Sequence, residues 1–160
     1  MSARVRGLVA VAVVAGTLGF AASPPAEAAT RCGALRYNSK SNALQLVAVG
    51  GAQLIQYHTL TSWCTAPNNS VKPRVYSPQS ARGALITALG LLAGWKFDRV
   101  LYEKRAYYTY KGVPNGGYYV KTHFNFLQCK GIVPVCTNRT GWLETYAHYD
   151  RTVQVRRGWG

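Results

Sequence analysis

The chain is poor in acid. Five Asp and Glu stand against 19 Lys and Arg in 160 residues, a formal charge of +14 at neutral pH. A surface this basic is drawn to polyanions: nucleic acid, anionic envelope polymers, acidic lipid surfaces or an acidic protein. Metal-ligand patterns are missing as well. The four cysteines form no C-x-x-C and no Cys–His pair, and His58, His123 and His148 lack ligand spacing, so no metal centre is expected. No G-x-S-x-G occurs, and the glycine pairs lie between strand-like runs rather than at strand-to-helix junctions. Those absences argue against a nucleophile elbow and a phosphate cradle, and no cofactor is expected. Internal repeats, low-complexity segments and linkers are also lacking, which leaves one domain.

A long apolar run occurs near the start. Arg4 and Arg6 precede an almost wholly apolar stretch from Gly7 to Ala22, and Ala26-Glu27-Ala28 is an A-x-A cleavage pattern, so residues 1–28 read as a secretory signal peptide. The stretch is short for a bilayer span of roughly 20 residues, and no stable span is expected after cleavage. Cleavage after Ala28 leaves 29–160 as a single basic domain with 17 Lys and Arg against four acids. The expected location is outside the cell, with the short n-region suggesting a bacterial source. In an oxidising compartment the even cysteine count favours two disulfides, read here as Cys32–Cys64 and Cys129–Cys136.

The chain states its architecture most plainly between Tyr107 and Cys129. Two aromatic and β-branched runs flank Gly112-Val113-Pro114-Asn115-Gly116-Gly117, which predicts a hairpin turning at those six residues. On its outgoing arm Tyr118, Val120, Thr122, Phe124 and Phe126 alternate with Lys121, His123 and Asn125, the pattern of a half-buried antiparallel strand. Gly50-Gly51 separates Leu44–Val49 from Ala52–Trp63 and predicts a second hairpin. A Pro- and Asn-rich connection follows from Thr65 to Arg74.

One helix is expected near 78–93. Ser77-Pro78 supplies a cap and a first-turn proline, Ala81, Ala84, Leu85, Ala88, Leu89 and Leu92 recur at helical spacing, and Gly94 is a stop signal. The apolar stretch from Ala84 to Trp95 predicts burial against the sheet, and a membrane-active segment is the competing reading. Trp142 to Arg157 reads as a final strand or strand pair, with Leu143, Ala147, Tyr149, Val153 and Val155 on one face. The fold class is therefore mainly β, an antiparallel sandwich or open barrel with one apolar helix and disulfides, and a small α+β fold as the alternative.

No catalytic signature stands out. The one acid and base cluster puts Glu144, His148 and Asp150 on the polar face of the last strand, with His148 in reach of either carboxylate, which is the equipment of a metal-independent ribonuclease or similar hydrolase. A solvated strand face accounts for the same residues. Tyrosines interleaved with cations suggest a binding surface instead: Lys104, Arg105, Tyr108, Tyr110, Lys111, Tyr118 and Lys121, extended by Arg156 and Arg157. Such rings stack on bases or sugars while the cations hold phosphates. The leading expectation is a secreted binding module for an anionic partner; the alternatives are the hydrolase and a secreted antibacterial toxin or inhibitor. Oligomeric state is left open.

Overall fold

The computed structural model describes residues 31–66, 72–131 and 135–160. Seven strands form two antiparallel sheets in simple up-and-down order. β1 (Arg36–Val47), β2 (Gln53–Thr65) and β3 (Tyr76–Ile86) make one sheet. A short helix, α1 (Ala88–Leu92), leads to the second, made of β4 (Trp95–Tyr110), β5 (Val113–Lys130), β6 (Val135–His148) and β7 (Val153–Trp159). The mainly β, disulfide-bonded class read from the sequence is the observed one. The sheets face each other as a sandwich.

Strand alternation builds the core. Leu44, Ile55 and Tyr57 from the first sheet meet Trp95, Phe124, Phe126 and Leu143 from the second. Tyr57 stacks on Phe124 across the interface with centroids 4.1 Å apart. A second cluster of Trp63, Val75, Tyr118, Val120 and Ala147 fills the other end. Asn42 is buried where β1 runs beside β6 and β7, and its Nδ2 donates to the Glu144 carbonyl at 3.1 Å. The Arg157 guanidinium donates to the Ala43 carbonyl at 2.6 Å and Trp159 Nε1 to the Gln45 carbonyl at 3.2 Å. These bonds occupy carbonyls on the free edge of β1, where an unpaired strand is otherwise a template for aggregation.

Both disulfides pair as expected. Cys32–Cys64 pins the N-terminal segment to the end of β2, and Cys129–Cys136 joins opposed positions of β5 and β6. The Gly50-Gly51 turn also forms, with φ of 99° and 85°.

The expected helix over 78–93 is largely a strand. Residues 76–86 pair with β2 from Cys64↔Tyr76 to Ile55↔Ile86, and helix is confined to Ala88–Leu92. The helical spacing of Ala81, Ala84 and Leu85 is overridden by this ladder, because tertiary pairing outweighs intrinsic propensities of under about 1 kcal/mol per residue. β3 is an edge strand of its sheet, the place where Pro78 is tolerated without a backbone N–H. Thr87, not Ser77, is the helix cap: its Oγ1 accepts from Gly90 N at 3.1 Å and donates to the Gln53 carbonyl at 2.7 Å. Gly94 ends the helix as expected, at φ 79°. Burial of the apolar stretch is only partial. Trp95 and Gly90 are buried, whereas Leu89, Leu91 and Leu92 are exposed.

The central hairpin turns at Lys111-Gly112, overlapping the expected Gly112–Gly117 stretch only at its first residue, and the φ values of 49° and 75° suit a tight two-residue turn. Pro114, Asn115 and Gly116 lie inside β5 as a bulge, where β4 advances from Tyr108 to Tyr110 while β5 runs from Gly117 back to Val113. The bulge carbonyls are taken up elsewhere. Asn115 O accepts from Val75 N at 3.0 Å and Gly116 O from Tyr149 N at 2.9 Å.

Candidate binding face on the four-stranded sheet

Register arranges the outer face of β4–β7 into rows. Tyr108 lies beside Gly117 and His148, then Ala106 beside Tyr119, Tyr146 and Gln154. The next row is Lys104, Lys121, Glu144 and Arg156, and the last is Tyr102, His123, Trp142 and Gly158. The opposite parity, Tyr118, Val120, Thr122, Phe124 and Phe126, points into the core as the alternation predicts.

Three tyrosines form a triangle. Tyr108 to Tyr119, Tyr108 to Tyr146 and Tyr119 to Tyr146 are 6.1, 6.1 and 6.0 Å between centroids. Tyr108 lies flat over Gly117, where an added Cβ would come within 2.3 Å of the ring. Burial, then neighbouring Tyr110, Tyr146 and Asp150, push its hydroxyl up to about 12, so the ring stays neutral. Cations border the triangle: Lys121 Nζ is 5.5 Å from the Tyr119 centroid and 5.6 Å from that of Tyr146, and Arg156 Cζ is 5.6 Å from Tyr146. Glu144 is the single acid of these rows, accepting from Tyr146 Oη at 2.8 Å and pairing with Lys121 at 3.3 Å. Bonding to Tyr146 and Glu144 raises the Lys121 pKa, which keeps its charge secure. Lys104 is exposed and directly opposite Lys121. Like charges facing each other across a ladder are destabilising, and an anion over the pair relieves the repulsion.

The structure divides the expected binding residues. Lys104, Tyr108, Lys121 and Arg156 share this face. Tyr118 does not: at 6 % exposure it is core, packed edge-to-face on Tyr107 at 5.4 Å. Arg105 lies on the inward parity and pairs with Glu103 at 2.5 Å, and Arg157 is spent on the Ala43 carbonyl. Tyr110 precedes the hairpin turn and Lys111 lies in it, adjoining the His148 corner. Tyr119 and Tyr146 complete the face, and strand parity finds both, since Tyr119 must alternate with buried Tyr118 and Val120.

The expected catalytic cluster is split. Trp142 to Arg157 is a strand pair whose turn contains Asp150, so Asp150 is not on the strand face with Glu144 and His148. Glu144 and His148 are four residues apart along β6, roughly 13 Å, with Tyr146 between them. His148 instead meets Asp150 through Thr152: Thr152 Oγ1 donates to Asp150 Oδ1 at 2.5 Å and lies 2.8 Å from His148 Nδ1. A hydroxyl whose proton goes to Asp150 accepts from Nδ1–H, leaving Nε2 as the basic nitrogen. His148 is 7 % exposed and covered by Tyr110, stacked at 3.7 Å. Burial lowers its pKa, against the opposing pull of Asp150. Burial also raises Asp150, but bonds from Thr152 and from Lys111 at 2.9 Å outweigh it and hold the carboxyl near 2. This network closes the β6–β7 turn. Among the described residues no group of three His, Cys, Asp or Glu is placed to hold a metal ion.

Fold and face together define a disulfide-bonded antiparallel β-sandwich carrying a tyrosine and cation surface on one sheet. No protein-family model, no curated protein and no solved structure matches the chain.

Proposed function

We propose that the protein is an exported binding module for anionic polymers, and that the outer face of β4–β7 is its binding surface. The observation that carries this reading is the Tyr108, Tyr119 and Tyr146 triangle with Lys121 and Arg156 at its border. Aromatic rings at this spacing offer π-faces to planar or cyclic units, and the cations hold phosphates or carboxylates between them. Export is supported by the A-x-A pattern at Ala26-Glu27-Ala28 and by two disulfides, which persist in oxidising compartments. No described helix is long and apolar enough to cross a membrane.

The test is binding of labelled single-stranded RNA, polyphosphate and an anionic polysaccharide to the oxidised chain starting at residue 29. Tyr119→Ser should weaken RNA or polysaccharide binding severalfold while sparing polyphosphate, which has no ring to stack. Equal loss or no loss on all three polymers contradicts a stacking surface.

The hydrolase reading keeps one foothold, the Asp150–Thr152–His148 chain that leaves Nε2 basic. Denaturing gels of the same RNA decide it: cleavage that disappears in His148→Ala supports catalysis there, and intact RNA removes it.

A further inference from the structure

The two ends of the sandwich differ. Of ten large hydrophobics exposed among the described residues, six lie at one end: Val47, Val49, Leu89, Leu91, Leu92 and Val135. Strand direction brings them together. The β1–β2 turn, α1 and the start of β6 all fall where β2 begins, β3 ends and β5 ends. Two contacts tie these connections into one surface. α1 sits on the start of β2, with Thr87 N donating to the Leu54 carbonyl at 3.0 Å, and the Gly94 carbonyl after α1 accepts from Cys129 N at 2.9 Å.

The patch is not a defect of core packing. Gly90 turns one side of α1 into β2, where a Cβ would come within 2.2 Å of the Leu54 carbonyl, so the opposite side with Leu91 and Leu92 must face out. Their exposures, 62 % and 85 %, are those of side chains held off the body of the protein. Val49 is fully exposed at the tip of the neighbouring turn. Cations flank this end. Lys130 lies opposite Val135, Lys96 follows Trp95 on β4, and Arg99 is a few residues further down the same strand, all exposed. The acid there is Asp98, which accepts from Asn125 at 3.0 Å and pairs with Arg99 at 3.4 Å.

We infer that this end is a second interaction surface, separate from the tyrosine face, that seats on the surface of an anionic lipid bilayer. Apolar side chains on separate connections form a convex tip rather than a groove, which suits entry into a deformable headgroup layer. The surrounding ammonium and guanidinium groups then meet lipid phosphates. Shallow insertion of an apolar tip combined with attraction of basic residues to anionic headgroups is the physics of interfacial binding without a span. Phosphatidylcholine, a zwitterion with no net charge, offers the first contribution alone, so binding should need anionic lipid.

The test uses the oxidised chain from residue 29, which contains every described element and omits the apolar stretch 7–22. It is floated with vesicles of phosphatidylcholine alone or mixed with phosphatidylglycerol. The expected result is flotation with the anionic vesicles only, reduced at least tenfold in Leu91→Ser/Leu92→Ser. Lys96→Gln/Lys130→Gln should lower it severalfold, and Tyr119→Ser should leave it unchanged. Every variant site is exposed or half-buried, and an unchanged circular dichroism spectrum confirms folding. No flotation, or flotation equal in the leucine variant, overturns the inference. A concentration-dependent dimer in sedimentation that Leu91→Ser/Leu92→Ser abolishes also overturns it, because the occupant would then be a second copy.

Discussion

Removing Lys104 isolates the electrostatic part of the tyrosine face. Lys104 is exposed and opposite Lys121, so Lys104→Gln withdraws a cation without emptying any core space. Three cations stand in these rows, Lys104, Lys121 and Arg156. Each phosphate neutralised on a single strand adds about 0.7 to the slope of log affinity against log salt, so three give a slope near −2.1. Affinity should then fall about 18-fold between roughly 50 and 200 mM salt, and about sevenfold in Lys104→Gln, whose slope is near −1.4. Fluorescence anisotropy of labelled oligouridylate across a salt series reads both numbers. The complementary change, Glu144→Gln, removes the acid of these rows and should tighten binding at every salt concentration. Parallel slopes for the parent and Lys104→Gln would refute the placement of the polymer over this row, whatever the absolute affinities.

Other consequences concern stability. Gly90→Ala puts a Cβ against the Leu54 carbonyl and should cost about 1–3 kcal/mol, read as a lower urea midpoint; an unchanged midpoint contradicts the close approach of α1 to β2. The disulfides should differ in worth. In the chain-entropy view the Cys32–Cys64 loop of 32 residues is worth about 3.7 kcal/mol and the seven-residue Cys129–Cys136 loop about 2.4, so the Cys32→Ser/Cys64→Ser pair should lower Tm further than Cys129→Ser/Cys136→Ser. Burial lowers the pKa of His58 and His148, so the folded chain resists protonation that the unfolded chain accepts. Their contribution is complete above about pH 6.5 and is lost as pH falls below it, so the urea midpoint should drop between about pH 7.5 and 5, less so in His148→Gln. A midpoint that holds or rises contradicts that burial; Asp150, held near 2, enters only at lower pH.

Much of the sandwich is legible in the sequence because period-2 alternation is a direct report of a half-buried strand. Tyr118 to Phe126 follows from it, whereas the second hairpin is read from the Gly50-Gly51 turn signal between two apolar runs. The same parity sorts the proposed binding face from the core, since a residue alternating with Val120 and Phe124 points outward, which puts Tyr118 inside and Tyr119 outside. β3 is illegible for a physical reason. Its small residues satisfy a helical period as well as a strand, and what decides between them is the β2 ladder and the fit of Gly83 beneath the His58 ring, where a Cβ would come within 2.6 Å. The hairpin turn is misplaced because Asn115-Gly116-Gly117 carries the stronger turn signal. Long-range bonds from Val75 and Tyr149 hold those residues as a bulge instead. Asp150 belongs to a turn stabilised by Thr152 and Lys111, and Lys111 lies 39 residues away in sequence. No local pattern encodes that contact.

The most direct test of the binding face is an amide chemical-shift titration of the 15N-labelled chain from residue 29 with oligouridylate at low salt. The account expects shifts concentrated at Lys104, Tyr108, Tyr119, Lys121, Tyr146 and Arg156, with β1–β3 quiet. Shifts centred on β1–β3, or none at saturating polymer, would contradict it.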